Sequence, residues 1–218
     1  MTIRLSRYHA AFAILKGLAV LTLTAGAAQA QSQQALFDGY VGSAAYRGIL
    51  AKAYNDSEPA TLKAGCPALT LVSFDKPEIV EAAQFVNDGR GWRAGSGAWV
   101  QRATLDRCGT KVLRRVLVET KSDNTLRTRG LLPGEFAGGY KLEETAHAYV
   151  VESMMNVTKC KDWKTPVVLD IAAASKPSGG RWRENWTALV CGKTVTARVD
   201  YSPNGPQTDV VTSQIKAR

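Results

Sequence analysis

The sequence predicts an α+β protein made of two tandem units, each a helix followed by an antiparallel β-hairpin with a third strand, and each stapled by one disulfide. Three observations predict it. A Trp to Cys-Gly motif occurs twice at one spacing: Gly97-Ala98-Trp99 leads to Cys108-Gly109, and Gly180-Arg181-Trp182 leads to Cys191-Gly192. Val112 and Val116 follow the first Cys-Gly at the offsets where Val195 and Val199 follow the second. All four cysteines lie beyond a segment with the marks of an export signal, and in an exported chain an even count reads as disulfides rather than a metal site.

That leading segment carries Arg4, Arg7 and Lys16 with no acid, then the apolar run Gly17 to Gly26, then Ala28-Gln29-Ala30. This is the pattern of a cleaved signal peptide, and the apolar run is far short of the roughly 20 residues that span a bilayer. The expected location is the periplasm or the medium after cleavage near Ala30. No cysteine stands at the cleavage point to take a lipid, and no later segment is apolar and long enough to cross a membrane as a helix. The expected organisation is a signal peptide over 1–30, a first unit over 31–122, a linker over 123–139, a second unit over 140–205 and a polar tail over 206–218.

Within the first unit, Leu36, Tyr40, Ala44 and Ile49 recur at helical spacing between Leu36 and Tyr54, though Gly39, Gly42 and Gly48 weaken that helix. Cys66 is followed by Leu69, Leu71 and Phe74, which suit a strand. Trp99 to Cys108 is rich in strand formers, and Gly109-Thr110 fits a two-residue hairpin turn with glycine first. Ser122-Asp123-Asn124 and the stretch from Leu131-Leu132-Pro133-Gly134 to Gly138-Gly139 have loop chemistry. In the second unit, Leu142, Ala146, Val150, Met154 and Val157 predict a helix ending before Cys160, and Val167, Val168, Leu169 and Ile171 a strand after it. Gly192-Lys193 is the matching turn. Beyond it Val195, Ala197, Val199 and Tyr201 alternate with Thr194, Thr196, Arg198 and Asp200, a strand with one buried face that closes at Pro203-Asn204-Gly205-Pro206.

Four cysteines permit three pairings, and spacing does not choose among them. If the two units fold alike, Cys66 pairs with Cys108 and Cys160 with Cys191, each bond tying the end of a helix to the turn of its own hairpin.

The chain holds 28 Lys and Arg against 19 Asp and Glu, and three of the basic residues lie in the first thirty, which leaves a net charge of +6 beyond them. The excess is local. Residues 90–129 carry ten basic residues against Asp106, Glu119 and Asp123. A solvated basic face explains such a stretch, and so does a surface for an anionic partner, for which Arg93, Arg114, Arg115, Arg127 and Arg129 are the candidates. Arg114 aligns with Ala197 of the second motif, on the side that should be buried; it therefore needs a partner, unless a bulge changes the register.

Little else points to chemistry. Beyond the signal the only histidine is His147, so a Ser-His-Asp or Cys-His arrangement can be built only around it. Phosphate-cradling glycine loops, Gly-x-Ser-x-Gly and His-Glu-x-x-His are missing, and no cofactor is expected. Glu143 and His147 stand four apart and read as a solvent-facing helical pair rather than two ligands of a metal. Carboxylates for glycoside cleavage could come from Glu143, Glu144, Glu152 or Glu184. Trp99 and Trp182 read as caps on a hydrophobic layer.

Trp182-x-Glu184-x-Trp186 followed by Cys191-Gly192 and a Val-rich strand, with Leu131-Leu132-Pro133-Gly134 upstream, resembles a group of exported proteins of Gram-negative bacteria to which no activity is attached. The resemblance covers about 130–205 and implies an envelope location. The first unit departs from it, with Gln101 in place of Glu184 and Ala103 in place of Trp186. The leading expectation is a non-catalytic binding or scaffolding domain contacting anionic lipid, an acidic glycan or another envelope protein. The alternatives are a carboxylate-based hydrolase of envelope polymers and a protein-inhibitor module. Nucleic acid is a weak variant: Trp92 and Trp99 among basic residues suit base stacking, but a periplasm offers little target.

Overall fold

The computed structural model describes residues 33–67, 69–87, 92–121 and 125–218. The expected signal peptide, Arg90 and the turn at Ser122-Asp123-Asn124 lie outside the described residues. The architecture is mixed α+β, dominated by two antiparallel sheets and carrying two disulfides.

The helix expected over Leu36 to Tyr54 is two helices. α1 covers 33–41, and α2 covers Ala44–Ser57. The chain breaks at Gly42-Ser43, and the Ser43 hydroxyl caps α2 by accepting from the Tyr46 N–H at 3.2 Å. The restart changes the phase: Tyr46, Leu50, Ala53 and Tyr54 turn inward with Phe37 of α1, whereas Ala44 and Ile49 are exposed. A short α3, Ala60–Lys63, follows.

The first sheet contains β1 (Thr70–Phe74), β2 (Glu78–Asn87), β3 (Trp92–Arg107), β4 (Thr110–Thr120) and β5 (Leu126–Gly130). β1 and β2 lie end to end along one edge of β3, pairing with its C-terminal and N-terminal parts respectively. The break between them falls at Asp75-Lys76-Pro77, and Pro77 has no N–H to give a ladder. β4 covers the other edge of β3, and β5 adds outside β4. β5 was not expected: it occupies part of the stretch assigned to the linker.

After α4 (Tyr140–Thr158), the second sheet runs β6 (Val167–Ser178), β7 (Arg181–Val190), β8 (Lys193–Asn204) and β9 (Gln207–Ala217) in sequential order. β9 replaces the expected polar tail. It pairs with β8 from Asn204↔Gln207 to Val195↔Ala217 across a bulge, and α4 packs against it as well as against β8.

Both tight hairpins turn one residue earlier than expected, on Cys108-Gly109 and Cys191-Gly192, since Arg107 pairs with Thr110 and Val190 with Lys193. All four turn residues have positive φ: 49° and 87° in the first, 48° and 76° in the second. This is the two-residue turn whose twist matches the strands, and it puts a cysteine where a β-carbon costs roughly 1 kcal/mol. Each of those cysteines is held by a disulfide, Cys66–Cys108 and Cys160–Cys191, with Cα atoms 5.9 Å apart in both. Each bond joins the segment after a helix to a hairpin turn.

Two hydrophobic clusters result. Trp99, Ala103, Leu105, Val116 and Val118 pack with Phe37, Tyr46, Leu50 and Tyr54; Trp186, Ala188, Val190, Val195, Val199 and Tyr201 pack with Ala146, Val150 and Met154 of α4. Trp99 and Trp182 belong to these layers. Trp99 is fully buried and its indole N–H donates to the Tyr46 hydroxyl at 2.7 Å, while the Trp182 ring stacks on Tyr201 at 4.5 Å. Val157, expected on the inner face of α4, is exposed.

The two sheets differ in exposure. β7 and β8 alternate, with the Arg183, Thr187, Thr196 and Arg198 face half-open. β3 and β4 are buried on both faces: Val100 and Leu117 point away from α1 and α2 yet are covered. On that second face Arg115 reaches Glu143 of α4 and lies over the Phe136 ring. The connecting segment bridges the sheets by backbone bonds: Leu131 and Gly134 N–H donate to the Arg115 and Leu113 carbonyls of β4, and Glu135 N–H donates to the Ile171 carbonyl of β6. Gly134 (φ +87°) lies so close to Ile171 that a β-carbon there would stand 2.2 Å from its carbonyl oxygen.

Candidate functional site

The arginines singled out in the sequence do not form one surface. Arg114 is buried on the helix side of β4, with an unbroken register from Ala98↔Glu119 to Arg107↔Thr110, so no bulge turns it outward. Its guanidinium grips Glu58 through Nε at 2.9 Å and Nη2 at 3.0 Å, and Arg107 adds a third bond to the same carboxylate at 3.1 Å. Burial pushes the Glu58 carboxyl up, but Arg114 and Arg107 outweigh it and hold the group below the usual carboxylate range. Arg115, on the opposite face, is equally buried and donates to Glu143 at 2.9 Å. Arg129 pairs with Glu144 at the surface. Arg127 is exposed opposite Glu119, and Arg93 stands opposite Val86 near the far end of β3. Arg114 and Arg115 therefore serve the fold, and their place among anion-binding candidates is corrected: each is spent on a buried carboxylate.

The carboxylates are equally committed. Glu143 is buried, not solvent-facing: besides Arg115 it accepts from the Leu132 N–H, and His147 one turn on is half-buried, where desolvation pushes its pKa down. Glu184 is fully buried and accepts from the indole N–H groups of Trp182 (3.1 Å) and Trp186 (2.9 Å) and from the Ala137 amide (2.8 Å). It pins the connecting segment to β7. Gln101, at the corresponding place in β3, is buried too, accepting from the Tyr46 hydroxyl and donating to the Asp75 carbonyl. Among the described residues no group of three His, Cys, Asp or Glu side chains comes together to hold a metal. A groove of about 460 Å³ follows the seam between the sheets, but its lining holds Glu135 and Asp170 beside Arg107, Lys111 and Arg114, and two of those arginines are already paired with Glu58. It concentrates no single sign of charge.

One place does. At the end of α4, Lys159 takes a left-handed conformation (φ +56°), its N–H donating to the Asn156 carbonyl, and the chain enters the turn Lys161-Asp162-Trp163-Lys164-Thr165. Asp162 organises that turn. Its carboxylate accepts from the Lys164 N–H at 3.0 Å, and its carbonyl accepts from the Thr165 N–H at 3.2 Å and hydroxyl at 2.8 Å. The Thr165 hydroxyl lies 3.6 Å from the sulfur of Cys160 and 3.7 Å from that of Cys191. The Cys160–Cys191 bond then brings up the β7–β8 turn with Lys193.

Lys159, Lys161, Lys164 and Lys193 are all exposed on the two segments joined by this disulfide, and Trp163 on the same turn has 74% of its surface open, the most exposed large hydrophobic side chain among the described residues. The Lys164 ammonium sits over its ring, 5.7 Å from the centroid. The one nearby acid in sequence, Asp162, has its carboxylate turned to the Lys164 amide. Sequence reasoning missed this cluster although Lys159-Cys160-Lys161-Asp162-Trp163-Lys164 is contiguous, because the wider arginine-rich stretch drew the charge argument to itself.

Compared with family models, with curated proteins and with solved structures, the chain matches none.

Proposed function

We propose that the chain is an exported, non-catalytic binding module that docks on an anionic component of the cell envelope through its lysine-bearing end. The observation that carries this reading is the exposed Trp163 with Lys164 over its ring, on a turn held by Asp162, and Lys159, Lys161 and Lys193 exposed on the segments that the Cys160–Cys191 disulfide joins. A turn fixed in this way loses little conformational entropy when it binds. Export is supported by the signal-like first thirty residues and by two disulfides, which suit an oxidising compartment. Among the described residues no helix is long and apolar enough to cross a membrane.

The same reading takes the chain as tandem equivalent modules. In its support, each Trp of the repeated motif faces a partner across an unbroken hairpin, Trp99 opposite Val118 and Trp182 opposite Tyr201. Each hairpin carries its own disulfide, and α2 lies on β4 and β5 as α4 lies on β8 and β9. Only the second module bears the tryptophan turn; the corresponding segment of the first, around Cys66-Pro67, has no aromatic residue. A carboxylate-based hydrolase has less support, because Glu143 and Glu184 face inward and Glu144 pairs with Arg129.

Each lysine near an anionic surface contributes about 1 kcal/mol, so K159Q/K161Q/K164Q/K193Q should weaken binding to immobilised polyphosphate in low salt by roughly a thousandfold. An R93Q/R127Q variant should bind within a few-fold of wild type. Undiminished binding by the lysine variant would remove this end as the site.

A further inference from the structure

We infer that the occupant of this end is the interfacial region of an anionic lipid bilayer, with Trp163 seated at the level of the headgroups and the four lysines on the lipid phosphates around it. The inference rests on the anion-docking reading and adds what the anion belongs to. A soluble polyanion would need the lysines alone. It gives no reason for an indole held 74% exposed on a turn with three internal hydrogen bonds. An indole is amphipathic and settles where hydrocarbon meets water, and lysines extend their stems past it to keep their charge among phosphates.

The surroundings fit that partner. The residues that present Trp163 are a turn and the adjacent hairpin turn, so both sides of the disulfide project at one end of the sheet. The C-terminal part of β9 runs alongside, adding exposed Lys216 opposite Thr196, while the acidic side chain in the tryptophan turn is taken up by an amide. With one aromatic and a handful of lysines the attachment is reversible, as single-anchor membrane association is.

The test uses the whole protein with three probes: vesicles of equal phosphatidylglycerol and phosphatidylcholine, soluble polyphosphate, and polygalacturonate as an acidic glycan. W163F isolates the emission of Trp163 from that of the other four tryptophans by difference. The expected result is binding to the anionic vesicles, not to pure phosphatidylcholine, with the Trp163 emission shifting to the blue and quenched by brominated acyl chains. W163A should lower vesicle affinity at least tenfold, a larger loss than it causes in polyphosphate binding, and leave the unfolding midpoint in place. Lysine-dependent binding to polyphosphate or polygalacturonate with no vesicle binding, or vesicle binding with unmoved Trp163 emission, would overturn the lipid assignment and leave the anion-docking reading standing. Lysine-independent or absent binding to all three probes would overturn both.

Discussion

Arg114 shows how far a single residue can be read before its surroundings are known. Its place on the buried side of β4 was legible from the alignment of the two motifs, and so was its need for a partner unless a bulge turned it outward; its pairing with Ala103 was not, because the hairpin turns one residue earlier than expected. The partner was not legible: Glu58 stands 56 residues earlier, just past α2, in a stretch with no pattern to mark it. Glu58→Gln should destabilise the protein by about 3–5 kcal/mol, because it leaves a buried guanidinium uncompensated, whereas Glu58→Leu with Arg114→Met should recover most of the loss. Urea unfolding at constant slope measures both. The pair also sets a pH dependence. The folded state holds the Glu58 carboxyl below its ordinary range, so on acidification the unfolded chain binds the proton first. Its contribution is complete above the ordinary carboxylate range, and it fades as pH falls through that range toward the folded value. Glu58→Gln should accordingly show a shallower loss of stability with acid than wild type; an equal slope would mean that the ion pair is not what titrates.

Among the elements, those with a strong apolar period were legible. α4 follows from Ala146, Val150 and Met154, and β8 from the alternation of Val195, Ala197, Val199 and Tyr201. β5 and β9 were not, because edge strands with one face in water carry weak patterns. In β9 Thr208, Val210 and Thr212 are half-buried while Val211, an apolar residue, faces out. The run Val116-Leu117-Val118, which breaks alternation, marks a strand covered on both sides. Each disulfide closes a loop, of 42 residues for Cys66–Cys108 and 31 for Cys160–Cys191, and the chain-entropy model puts the loss on removing either at about 4 kcal/mol. The two removals should separate in function. C160S/C191S, at a temperature where it remains folded, should lose stability and polyphosphate binding together, because the bond gathers Lys193 with Lys159, Lys161 and Lys164. C66S/C108S should lose stability alone. Equal binding losses in the two variants would disconnect the lysine end from its disulfide.

At the scale of the molecule, the halves are joined by chemistry that no local pattern announces. Arg115 of β4 meets Glu143 of α4, Glu184 of β7 anchors the Ala137 amide, and the segment around Gly134 bonds to β4 and β6 at once. Arg114 and Arg115, from the most conspicuously charged stretch of the sequence, build that joint and the core beside it, while the docking charge we propose sits at the far end of α4, on a turn of unremarkable length. Net charge is thus a poor guide to where a basic protein binds: buried arginines count toward it as much as exposed lysines do. Hydrogen–deuterium exchange of the intact protein, with and without saturating polyphosphate, tests this division of labour. Protection is predicted over 159–166 and at the β7–β8 turn, with 111–115 and 126–130 unchanged; protection over 126–130 with none over 159–166 would contradict it.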